Sequence, residues 1–104
     1  MNIIDLEESY LLSFTHAHNS IFIELRFLLD NGEKIIFFAH NKEGSPIKVN
    51  YQGLDIKANF TTIDNIPSLG EVECVGTTNS GCSFEGDFGF IDVVADTWSI
   101  DKAL

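Results

Sequence analysis

Three histidines, two cysteines and sixteen acids are the side chains of this 104-residue sequence with the most obvious capacity for chemistry. His16 and His18 lie two apart, so a strand would point both imidazoles to one face, a spacing that a metal site can use. A third ligand would have to come from His40 or from a carboxylate brought in by the fold. The plainer reading is two polar residues at a strand end, and no metal site is expected. Cys74 and Cys82 can face one another across a hairpin whose loop is Gly76 to Gly81, and oxidation would then link them if the geometry allowed. No CxxC motif is present, and from Ala58 to Asp101 there is no Lys or Arg to lower a thiol pKa. Both cysteines are therefore expected as free, buried, small apolar residues. None of the acids sits in an HExxH or glycosidase-like setting, no GxGxxG, P-loop or GxSxG occurs, and no motif supports a nucleophilic Cys-His pair. Neither an enzyme nor a cofactor is expected.

What remains is how the charge is distributed. Acids outnumber bases 16 to 6, a formal net charge of −10. Residues 1 to 57 hold eight acids and five bases, whereas residues 58 to 104 hold eight acids and only Lys102. Like charges held close in a fold weaken it by repulsion, so so one-sided a segment suggests a cationic partner. The same charge repels a phosphate backbone, so no nucleic acid is expected. An acidic, soluble surface with no partner is the competing reading.

The elements that must position these groups are strands. Ile21, Ile23, Leu25, Phe27 and Leu29 alternate with Phe22, Glu24, Arg26 and Leu28, the period of a strand with one well-buried face. Asp30-Asn31-Gly32-Glu33 supplies turn residues, and Ile35 to Ala39 returns as the second arm of a hairpin. A two-residue turn at Asn31-Gly32 would set Leu25 opposite Phe38, while a three-residue loop with a bulge at Gly32 would set it opposite Phe37. Tyr10 to His16 reads as a preceding strand, and the first eight residues as a short helix presenting Ile3 and Leu6 at helical spacing. Ile47, Val49 and Tyr51 alternate in one parity and Leu54, Ile56, Ala58 and Phe60 in the other, so Gln52-Gly53 must turn or bulge between them. Thr61 to Leu69 is a connector with at most one helical turn. Strands follow at Glu71–Val75, Cys82–Phe84, Phe88–Ala95 and Trp98–Ile100, separated by a loop over Gly76–Gly81 and a turn at Glu85–Asp87.

Such spacing predicts one all-β domain over residues 1–104: an antiparallel sandwich or partly open barrel of six to eight short strands, with at most minor helix. No apolar run approaches the roughly 20 residues of a bilayer crossing, and the acidic amino terminus is unlike a signal peptide. No membrane association and a cytoplasmic location are the expectation.

Asn19 to Leu25, Asp30-Asn31-Gly32 and Ile35 to Ala39, with the closing stretch Phe84 to Val93, make up about a quarter of the chain. In these blocks the sequence resembles the small acidic immunity proteins that bacteria encode beside polymorphic or contact-dependent growth inhibition toxins. The resemblance implies a non-catalytic function: binding and neutralising a cognate toxin's carboxy-terminal domain, usually a nuclease, by covering or plugging its cationic cleft. Charge and expected exposure nominate Glu71, Glu73, Glu85, Asp87, Asp92 and Asp96 as the binding carboxylates, with Phe88 or Trp98 as exposed aromatic anchors. The alternative is a non-catalytic β-sheet interaction module or adaptor subunit that pairs through an edge strand. A small-ligand-binding barrel, which needs a continuous apolar cavity, is the third reading.

Overall fold

The computed structural model describes residues 2–16, 21–53 and 59–103. A single 3-10 turn, Ile3–Leu6, opens the chain, and Ile3 and Leu6 bury their side chains as their spacing predicts. Strand β1 (Tyr10–His16) pairs antiparallel with β2 (Phe22–Leu28), which pairs with β3 (Lys34–His40). Between β2 and β3, Leu25 lies opposite Phe37, the register of the three-residue loop. Gly32 there takes φ +88, and Glu33 N–H donates to Asn31 Oδ1 at 2.9 Å, which closes the loop locally. Strand β4 (Lys48–Gln52) follows, ended by Gly53 at φ +63, the break that the change of apolar parity requires. Two-residue strands β5 (Asn59–Phe60) and β6 (Pro67–Ser68) pair with one another.

The rest of the chain is β7 (Gly70–Thr78), β8 (Gly81–Gly86), β9 (Gly89–Val94) and β10 (Thr97–Lys102). All long strands join one antiparallel sheet in the order β10-β3-β2-β1-β7-β8-β9-β4, which does not close on itself. Among the described residues, strand pairing joins its two halves where Tyr10 pairs with Glu71 and Leu11 with Gly70. A register irregularity flanks this junction on each strand, between Leu11 and Ser13 in β1 and between Val72 and Cys74 in β7. Bulges bend strands, and these two let the sheet fold over at the junction so that its halves face each other. Phe27 of β2 and Phe37 of β3 meet Phe84 of β8 across that interior, with ring centroids 5.5 and 5.2 Å apart. All three rings are fully buried, each worth about 1.5–3 kcal/mol relative to exposure. They fill the space in which a ligand-binding barrel keeps its cavity.

Several local expectations change. Strand β7 runs on to Thr78, so the turn before β8 is only Asn79 and Ser80 rather than the whole of Gly76–Gly81. The connector Thr61–Leu69 holds no helical turn: Asp64 and Asn65 adopt left-handed φ of 54 and 52, and Thr61 N–H donates to Ile66 O at 3.0 Å, which makes a tight return into β6. Phe60 is 69% exposed rather than part of a buried alternation, while the predicted strand residues 54–58 and the linking residues His18 to Ser20 lie outside the described residues.

Candidate functional site: an acidic corner at the fold of the sheet

The segment after the 3-10 turn lies along the free side of β7. Glu8 N–H donates to Val72 O and Val72 N–H to Ser9 O, both at 2.8 Å. Glu7 Oε1 accepts from Val75 N–H at 3.1 Å, a side chain standing in for a missing strand partner. Asp5, Glu7, Glu8, Ser9, Leu29 and Asp30 then line a cleft of about 260 Å³ in which no Lys or Arg takes part. On the far side of β7's start, Asp87 Oδ2 accepts from Glu71 N–H at 3.2 Å, and Asp87 N–H donates to Glu71 O at 3.1 Å. Glu73 sits in the β7 bulge, and Glu85 is opposite Cys74 on β8. Of the chain's sixteen carboxylates, four line this cleft and four more, Glu71, Glu73, Glu85 and Asp87, stand on β7, β8 and the turn after β8. The four in the cleft, Asp5, Glu7, Glu8 and Asp30, come from the less acidic first half and lie outside the sequence expectation. Glu8 holds φ +70, an uncommon conformation for a residue with a Cβ, to keep this path.

The nominated residues divide between the corner and elsewhere. Glu71, Glu73, Glu85 and Asp87 belong to the corner. Asp92 lies on the outer face of the second half-sheet, between Ser83 and Asn50 on the neighbouring strands. Asp96 has internal duties: its Oδ1 accepts from Lys42 N–H at 2.8 Å and Thr97 Oγ1 at 3.0 Å, while its own N–H donates to Asn41 Oδ1 at 3.0 Å. That clamp ties the loop after β3 to the crossing from β9 to β10. Phe88 is corrected from exposed anchor to core residue, 1% exposed. The β8–β9 turn folds inward over Gly86, and a Cβ on Gly86 would stand 3.0 Å from the Phe88 ring. Trp98 is likewise not an exposed anchor. It faces inward opposite Ala39, half-buried, and with Ile3, Thr77 and Ile100 lines a groove of about 610 Å³.

The groups with potential for covalent or metal chemistry are dispersed. His16 points inward, 6.4 Å from Tyr51 between ring centroids, whereas His40 lies on the outer face against Phe38. Among the described residues, His16 Nε2 and Tyr51 Oη are buried without a hydrogen-bond partner, and burial raises the Tyr51 phenol pKa above its ordinary 10.0. Both cysteines are free, but Cys74 is exposed, not buried as expected, because the β7 bulge resets the alternation and turns it outward opposite Glu85. Cys82 is buried opposite Thr77, so the two thiols are not cross-strand partners. Its pKa is pushed up to about 12 by burial and, secondarily, by the charge of Asp92. No group of three or more metal-binding side chains occurs among the described residues, and no described helix is long and apolar enough to cross a membrane.

The chemistry of the corner is electrostatic: a cleft lined by Asp5, Glu7, Glu8 and Asp30, with no Lys or Arg in its lining, can attract and hydrogen-bond ammonium and guanidinium groups. No protein-family model, curated protein or solved structure matches the chain.

Proposed function

We propose that this protein is a non-catalytic inhibitor of the immunity-protein kind, which binds a cationic toxin domain, a nuclease by preference, through the acidic corner. The observation that carries the reading is the cleft in which Asp5, Glu7, Glu8 and Asp30 converge with no Lys or Arg, beside a strand pair, β7 and β8, that carries Glu71, Glu73, Glu85 and Asp87. Repulsion among them disfavours the folded state, and a phosphate-binding cleft lined by Lys and Arg would relieve it on contact. Steering between opposite charges raises association rates by factors of roughly 10 to 1,000, an advantage for a protein that must capture a toxin before damage occurs.

The test is co-purification with the protein encoded by the adjacent upstream gene, followed by stopped-flow association at varied ionic strength. Replacing Glu85 and Asp87 together by Lys should slow association and flatten its salt dependence, because fewer attractive charges remain to be screened. Association unchanged at low ionic strength would remove the corner from the interface. A second reading, pairing with a partner's strand, draws on β10: its six residues pair with β3 in unbroken register, contain no Pro or Gly, and form one outer edge of the sheet. That mode predicts association nearly indifferent to salt.

A further inference from the structure

The outer face of the first half-sheet carries aromatic rings where solvent-facing polar residues are the rule. Cross-strand registers place Thr97, His40 and Phe22 in one row, Ser99, Phe38 and Glu24 in the next, and Asp101, Ile36 and Arg26 in a third. Phe22 and Phe38 stack at 5.3 Å with planes 24° apart, and His40 lies 5.6 Å from Phe38. Ile21, 38% exposed, borders the same pair around a shallow apolar depression of about 260 Å³. The charges here differ from those of the rest of the molecule. Glu24 and Asp101 are balanced by Arg26 and Lys34, so this face is neutral in a chain of net charge −10.

A cationic partner gains nothing from a neutral face, whereas a second strongly acidic copy meets least repulsion there. Glu24 and Arg26 also stand two apart on one strand and bridge at 3.3 Å, with the Arg26 side chain 51% exposed. Opposite charges so placed are self-complementary under a two-fold axis, and an exposed pair of this kind loses little by exchanging partners. We propose that this face is the interface of an isologous homodimer, in which the Phe22 and Phe38 stacks of two copies meet and Glu24 of each copy pairs with Arg26 of the other. The acidic corners, built by other elements, stay open in the dimer.

Sedimentation velocity and light scattering on the full chain over a wide concentration range test this directly. Twice the monomer mass is expected, and it should persist near 1 M salt, where the Debye length is about 3 Å and the net repulsion is screened. Phe38→Glu should raise the dissociation constant roughly 30-fold or more, and Arg26→Glu about tenfold. The double exchange Glu24→Arg with Arg26→Glu should restore it to within about threefold, because the crosswise pairs re-form with reversed sign. Circular dichroism melts accompany each variant, and the rescue by the double exchange cannot come from a misfolded chain. A monomer up to millimolar concentration, a dimer indifferent to a folded Phe38→Glu, or a double exchange as weak as Arg26→Glu would overturn the proposal. None of these outcomes bears on the acidic corner, whose variants are read by association with the toxin.

Discussion

Cys74 and Cys82 belong to adjacent strands yet occupy opposite environments, and the difference sets their reactivity. Cys74 is open to solvent, whereas Cys82 holds its proton up to about pH 12 because a thiolate would be buried and, secondarily, repelled by the charge of Asp92. Titration with a thiol-specific reagent should modify one equivalent quickly and the second only on unfolding, because only Cys74 is open to the reagent. The same shift couples to stability. The unfolded chain ionises first, near 9.0, so stability held below that pH is lost as pH rises toward about 12, and Tyr51, also raised, acts in the same direction. Denaturant midpoints measured from pH 8 to 11 should fall, and Cys82→Ala should flatten the decline. Tyr51 offers a second check. Its hydroxyl is buried without a partner among the described residues, so Tyr51→Phe should leave stability unchanged or raise it by about 1 kcal/mol, whereas a hydroxyl with a hidden partner would make the variant less stable.

At the scale of elements, the tight packing of the second half-sheet rests on residues with no side chain. A Cβ on Gly81 would be driven into the Val93 carbonyl, a backbone group that cannot swing aside. Gly81→Ala should therefore cost about 2 kcal/mol or more, read as a fall in melting temperature of roughly 8 °C or more for a domain of this size. Strand alternation made most of this layer legible in advance: the β2–β3 hairpin, the edge segment Trp98–Ile100 and the all-β architecture follow from period-two patterns and turn residues. The bulges at Leu11–Ser13 and Val72–Cys74 were not legible, because an extra residue in a ladder leaves no mark in hydropathy. Their consequences were missed with them, including the exposure of Cys74 and the corner itself. Phe88 was misplaced for a related reason, since a turn's acids, Glu85 and Asp87, suggest exposure while glycine lets the intervening chain dip into the core.

For the molecule as a whole, the sequence skew of charge was a partial guide. It nominates Glu71, Glu73, Glu85 and Asp87 but is blind to Asp5, Glu7, Glu8 and Asp30, because only the fold lays Glu7 to Ser9 along β7 and brings Asp30 to the same cleft. A net charge of −10 makes the free protein self-repelling, so raising sodium chloride from about 0.02 M to about 0.5 M should raise the melting temperature by several degrees, roughly 1 kcal/mol. A complexed protein should gain far less from salt, and unchanged melting of the free chain would mean that the corner charges are already well solvated. The order of strands carries a temporal consequence as well. β3 remains a bare border until β10, some sixty residues later, lies along it, and β4 likewise awaits β9. On the ribosome, then, the amino-terminal meander waits with Phe37 and Ala39 incompletely sheltered until Thr97–Lys102 has left the exit tunnel, so any premature stop before that strand yields a sticky fragment instead of a smaller folded domain.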